Sequence, residues 1–200
     1  MATGIGLYDQ TGGEFLLKNV AEAGNADEVF RYGPEGNDWY SIAGDWDGDG
    51  SVGVGLYDQT GGEMFIKQEA NPGTADEVFR FGPEGNDWLP AAGDWDDDGS
   101  FGLGLYDQAE GRMYIKDDAS SGVADESFRL GPEGNDWLPI AGDWDGDGEF
   151  GIGLYDQEAG RMYIKDDASA GAADESFRFG PKGNDWMPIA GDWDGDGEYG

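Results

Sequence analysis

Asp45-Trp46-Asp47-Gly48-Asp49-Gly50 is the stretch that decides how this chain is read. It returns at Asp94–Gly99, Asp143–Gly148 and Asp192–Gly197, each time 49 residues on, with no insertion or deletion. The 200 residues are therefore one module written four times. A period of this length marks a repeat fold, in which each unit buries its apolar face against its neighbours. The stretch itself is too rich in Asp and Gly to be anything but a loop.

Working outward from that loop gives the module. Upstream, Trp39–Trp46 is a short β run with Ile42 and Trp46 on one side. Downstream, Val52–Asp58 alternates in period two, with Val52, Val54 and Leu56 on one face and Gly53, Gly55 and Tyr57 on the other. Two glycines on one face of a strand predict a closely packed neighbour there. Thr60-Gly61-Gly62-Glu63 is a hairpin turn. Met64–Lys67 is a third strand, Gln68–Thr74 a loop, Asp76–Phe81 a fourth strand, and Gly82-Pro83-Glu84-Gly85-Asn86 a connector. No stretch has a 3.6-residue apolar period, so no helix is expected.

Four short antiparallel strands repeated radially make a β-propeller. The expected fold is all-β: one propeller domain over 1–200, with units at about 4–52, 53–101, 102–150 and 151–200. The chain starts in a second strand, at Gly4–Asp9, and finishes with a first strand at Met187–Trp193. Those two segments are expected to share one blade and close a ring of four, hiding strand edges that would otherwise template aggregation. The alternative is two chains forming one eight-bladed ring.

Composition narrows the function. With no Cys and no His, disulfides, Ser-His-Asp or Cys-His catalysis and histidine-ligated zinc are all excluded. The net charge of −33 makes nucleic acid and anionic membranes poor partners. No apolar run is long enough for a membrane span, and no signal peptide opens the chain. Four divalent ions would cancel only about a quarter of this charge. The excess fits solubility or a salt-rich habitat, since only five lysines are present.

Asp45, Asp47 and Asp49 stand at i, i+2 and i+4 in a loop turned by glycines. Their carboxylates converge, and Ca²⁺ takes six to eight oxygens from ligands at this 1, 3, 5 spacing, with a backbone carbonyl at 7. The candidate ligand sets are Asp45, Asp47, Asp49 and Ser51; Asp94, Asp96, Asp98 and Ser100; Asp143, Asp145, Asp147 and Glu149; and Asp192, Asp194, Asp196 and Glu198. The competing reading is a tight turn shaped by Asx hydrogen bonds. Three uncompensated carboxylates in one loop repel one another, which favours a cation. The twelfth position, a bidentate Glu in an EF-hand, is Leu56, Leu105 or Leu154, and no helices flank the loop, so this is not an EF-hand. Copy two carries Asp97 where the others have Gly. Copy four lacks its own second strand and is expected to be the weakest site unless ring closure supplies one.

Ile42–Gly50 followed by Gly55-Leu56-Tyr57-Asp58, with Phe79-Arg80-Phe81-Gly82-Pro83 further on, resembles the FG-GAP/VCBS repeats of integrin-α-like β-propellers. The resemblance covers all four copies. It implies Ca²⁺ in the hairpin between first and second strands. It also implies an extracellular or cell-surface setting, with a role in adhesion, ligand binding or spacing of other domains. One departure bears on affinity. Where such loops carry an Asp near the ninth position, this chain has Gly53, Gly102, Gly151 and Gly200. A missing ligand predicts weak binding, in the ~10⁻⁴–10⁻³ M range of extracellular modules.

Eight Trp fall two per module. Trp46 and its equivalents are expected to pack inward. Trp39, Trp88, Trp137 and Trp186, each after an Asn-Asp pair, are the candidates for stacking on a sugar, against packing between blades. Arg31, Arg80, Arg129 and Arg178 are expected to pair with carboxylates within or between blades. Asp9, Asp58, Asp107 and Asp156 are expected to be Arg partners or turn formers. Units 102–150 and 151–199 agree at 40 of 49 positions, with mostly conservative differences, and no acid, base or nucleophile stands out from the repeat as a catalytic group. A catalytic site normally breaks such symmetry, and no enzyme is expected. The expected function is a non-catalytic Ca²⁺-binding scaffold. The alternatives are a multivalent lectin whose weak sites add through avidity, and an engineered symmetric propeller without a natural ligand. Partners would be a glycan or a cell-surface protein, with the chain a monomer or a strand- or ring-sharing homodimer.

Overall fold

The computed structural model describes residues 5–20 and 22–191. The fourth Asp loop, from 192 onward, lies outside them, and so do its candidate ligands Asp192, Asp194, Asp196 and Glu198. The described residues hold fifteen strands and no helix. Blade one is β1 (Ile5–Asp9), β2 (Glu14–Lys18) and β3 (Glu28–Arg31). Blade two is β4 (Tyr40–Gly44), β5 (Gly53–Asp58), β6 (Glu63–Lys67) and β7 (Glu77–Arg80). Blade three is β8 (Leu89–Gly93), β9 (Gly102–Asp107), β10 (Arg112–Lys116) and β11 (Glu126–Arg129). Blade four is β12 (Leu138–Gly142), β13 (Gly151–Asp156), β14 (Arg161–Lys165) and β15 (Glu175–Arg178). Each blade is an antiparallel meander in sequence order, three-stranded in the first and four-stranded in the rest. The protein is a four-bladed β-propeller. The first strands β4, β8 and β12 of successive blades lie against one another. Each is an edge of its sheet, which is where Pro90 and Pro139, lacking an N–H, can sit.

The paired glycines of the second strand have a physical reason. A methyl on Gly53 would sit 2.2 Å from the Lys67 carbonyl oxygen, and one on Gly55 would sit 2.9 Å from Ile42 Cγ1. The alternate positions of that strand carry the aliphatics that join blades. Val54 and Leu56 pack on Phe15 and Phe30 of blade one. Leu103 and Leu105 pack on Trp46, Met64, Ile66 and Phe79 of blade two. Ile152 and Leu154 pack on Trp95, Met113, Ile115 and Phe128 of blade three. One rule therefore builds all three interfaces: two aliphatics of a second strand fill a socket on the preceding blade. Each such buried side chain contributes about 1.5–3 kcal/mol.

A connector ties the outside of each blade to its second strand. The Asn86 Nδ2 group donates to Tyr57 Oη (2.7 Å) and to the Gln59 and Pro83 carbonyls, and Asn86 Oδ1 accepts from the Trp88 amide. Asn37, Asn135 and Asn184 repeat the arrangement with Tyr8, Tyr106 and Tyr155. Gly82 is required there, since a Cβ would lie 2.1 Å from Tyr57 Oη.

The strand expected to complete blade one starts at Met187. Its residues 192 and 193 lie outside the described set, and 187–191 form no described ladder with β1. No hydrophobic cluster joins blades one and four among the described residues.

Candidate metal centre

The three described Asp loops each bring one carboxylate oxygen from three Asp side chains to within 4.8 Å of one another. The sets are Asp45, Asp47 and Asp49; Asp94, Asp96 and Asp98; and Asp143, Asp145 and Asp147. Oxygens sharing one Ca²⁺ at about 2.3–2.6 Å can be at most about 5 Å apart, so each set fits a single ion. All donors are hard carboxylate oxygens, the type that Ca²⁺ prefers.

Backbone amides hold the carboxylates in place. Gly50 N donates to Asp45 Oδ2 (2.8 Å), Asp49 N to Asp45 Oδ1 (3.2 Å), and Ser51 N to Asp49 Oδ1 (2.8 Å). Loop three repeats this, with Gly148 N on Asp143 Oδ2 and Glu149 N on Asp147 Oδ1. The turn expected from Asx bonding and the convergence expected of a metal loop thus coexist in one backbone. The first Asp is the innermost, with Asp94 and Asp143 buried, Asp45 half-buried and the second and third members of each set exposed. Burial raises the Asp94 carboxyl above its ordinary range, opposed by the Gly99 and Asp98 amides and reinforced by the charges of Asp98 and Asp96. The Ser100 hydroxyl and amide hold Asp98 below that range. Glu149 is raised by burial and then by four surrounding carboxylates, among them Asp147 and Asp97.

Successive loops are joined. Phe101 N donates to the Asp45 carbonyl (2.6 Å) and Phe150 N to the Asp94 carbonyl (2.7 Å). The Phe101 ring lies where a Gly44 side chain would go, the Phe150 ring fills the same place over Gly93, and the two rings meet edge-on at 5.0 Å.

The tryptophans divide as expected in part. Trp46 and Trp95 are buried in the sockets. Trp39, Trp88 and Trp137 are half-buried, each stacked on a third-strand aromatic: Phe65, Tyr114 and Tyr163, at 4.5–4.6 Å. Trp186 is exposed. Arg31, Arg80 and Arg129 pair with Glu35, Glu84 and Glu133 in the connector. The fourth copy has Lys182 in place of that Glu. Asp9, Asp58, Asp107 and Asp156 are turn formers, accepting from the amides two or three residues on.

Sequence reading passed over the lysines. Lys67, Lys116 and Lys165 are buried, and each reaches the Asp that opens the fourth strand: Asp76 (3.9 Å), Asp125 (3.5 Å) and Asp174 (3.6 Å). Lys18 does the same with Asp27. The available signal was scarcity: four of the five lysines occupy this one repeat position.

No family model matches the chain, and no curated protein matches it. Among solved structures it is similar to the crystal structure of Kluyvelomyces marxianus Hsv2, with a TM-score of 0.46 and 11% identity over 86% of this chain and 50% of that one. The chain thus spans about half the length of that structure.

Proposed function

We propose that this propeller is a non-catalytic scaffold whose hairpin loops bind Ca²⁺ weakly, and that it works outside the cell in adhesion or in spacing other domains. The observation that carries the reading is the convergence of three carboxylates in each described loop, at a separation one Ca²⁺ spans. Asp45, Asp47 and Asp49 and their equivalents would hold the ion, which would neutralise their mutual repulsion and tie the first strand of a blade to its second. The loops are joined through Phe101 and Phe150, so an ion in one loop also stiffens the contact between blades. The repetition of the triad in every copy supports a structural role over a catalytic one. The extracellular setting rests on the FG-GAP/VCBS-like pattern.

Thermal melting in low salt tests this, with a chelator and then with millimolar Ca²⁺. A rise in Tm with Ca²⁺ that Mg²⁺ does not reproduce is expected, because the smaller ion demands octahedral geometry and sheds water reluctantly. Coincident melting curves would sink the reading.

A further inference from the structure

The three interfaces between blades leave one plug and one socket over. The socket is on blade four. Ile140, Trp144, Met162, Ile164 and Phe177 occupy the repeat positions of Ala91, Trp95, Met113, Ile115 and Phe128, the residues on blade three that Ile152 and Leu154 cover. Here they line an open cleft of about 760 Å³, with Trp186 at its rim. Phe177 is 43% exposed where Phe128 is 5% exposed.

The plug is on blade one. Ile5–Asp9 reads Ile-Gly-Leu-Tyr-Asp, the same five residues as Ile152–Asp156, the strand that fills the socket on blade three. In blade four Ile152 and Leu154 are fully buried, whereas Ile5 is 53% and Leu7 71% exposed. A strand position is over as well. Met187–Gly191 matches Leu138–Gly142 but has no ladder, and Ile189 is 75% exposed where Ile140 is 9% exposed. Transferring the β12–β13 register places Ile189 opposite Gly6 and Met187 opposite Tyr8. Gly6 stands at the repeat position of Gly153, where a Cβ would lie 2.7 Å from Ile140 Cγ2.

We infer that the occupant of the blade-four socket is blade one of a second copy of this chain. The joint continues an interface the molecule already builds three times, and its plug, Ile5 and Leu7, has the same residues as the third of these, Ile152 and Leu154. Strand 187–191 of one copy adds to β1 of the next, giving blade one a fourth strand beside the three it has among the described residues. The joint is head-to-tail, so it uses different surfaces on the two copies. Two copies joined twice leave neither a free plug nor a free socket. The net charge of −33 per chain opposes this association, and salt relieves it, since the Debye length shrinks to about 3 Å at 1 M.

Light scattering at 1 M salt, across a range of chain concentrations, reads the result. The expected particle has twice the 21.4 kDa chain mass. Leu7→Asp alone and Ile189→Asp alone should each be monomeric, because each removes one side of every joint. Both positions are exposed in the single chain, so both variants should melt as the monomeric parent does in low salt. Mixed in equal amounts, the two variants should recover a dimer through the one intact pairing, plug of Ile189→Asp in socket of Leu7→Asp. A parent that stays monomeric at every concentration, as closure within one chain would leave it, overturns the proposal. So does association that survives either substitution, or variants that fail to complement.

Discussion

Blades three and four are nearly the same sequence in different surroundings. Residues 89–137 and 138–186 agree at 39 of 49 positions, yet Met113 and Phe128 are sealed while Phe177 stands open to solvent. The Trp95 ring is buried, whereas its equivalent Trp144 is only half-buried. No difference in local residue choice accounts for this, since β10 and β14 both read Arg-Met-Tyr-Ile-Lys and β11 and β15 both read Glu-Ser-Phe-Arg. The difference is the neighbouring blade. Burial in this fold belongs to the joint between neighbours, so stability should depend more on where a copy stands than on what it contains.

The largest test of that contrast exchanges the same side chain at the two kinds of position. Leu105→Ala removes a fully buried plug and should cost about 2–5 kcal/mol. Leu7→Ala, at the matching position of blade one, should cost about 0.5 kcal/mol or less when measured in the Ile189→Asp background, where no second copy can cover it. Denaturant melts of the two variants read the difference. Equal costs would mean that blade one is packed within a single chain and would erase the contrast.

The tyrosines at the connector give a pH-dependent form of the same comparison. Burial pushes the Tyr57 and Tyr106 hydroxyls up to about 12, opposed by the Asn86 and Asn135 amides. Their unfolded value is near 10, so the folded state favours the neutral ring. The stability this represents is whole below about pH 10 and is lost as pH rises toward 12. For each ring it is on the order of 2–3 kcal/mol. Stability measured across that window should therefore fall steeply. In an absorbance titration Tyr57 and Tyr106 should ionise late, and Tyr8, which burial raises in the same direction, should precede them because it is half-buried where they are sealed. If Tyr8 titrates together with the interior pair, the end blade is as well covered as the middle ones.

Much of this architecture was legible in the chain, for reasons that also mark where legibility stopped. The alternation in Val52–Asp58 and the glycines at 53 and 55 are local signals, and the structure shows the strand and the close approach they imply. The convergence of Asp45, Asp47 and Asp49 is local too, fixed by a turn of six residues. Partners distant in sequence left weaker traces. Lys67 ends a strand and looks like a surface charge, yet it is buried against Asp76. Asn86 sits in a Gly-Pro connector that reads as a plain turn, yet it reaches Tyr57 across 29 residues. Least legible was the contrast between copies, because Ile140 and Ile189 sit in equivalent repeat positions and differ only in the strand packed beside them.

The smallest expected effect lies inside one loop. Asp97 has φ of +55°, in the left-handed region that Gly48 (+69°) and Gly146 (+74°) adopt at the same repeat position. It is alone among the described non-glycine residues in having a positive φ. Its carboxylate also points at loop three, where a Cβ on Gly148 would meet Asp97 Oδ1 at 2.5 Å, and its charge adds to those raising Glu149. Asp97→Gly should therefore stabilise the protein by about 1 kcal/mol, by relieving both the backbone strain and the crowding of like charge. The two causes separate with salt. Screening at 1 M, where the Debye length is about 3 Å, should remove the electrostatic share and leave the backbone share intact. A gain that vanishes entirely in high salt would show that the strained φ costs nothing, and that Asp97 differs from Gly48 and Gly146 only in its charge.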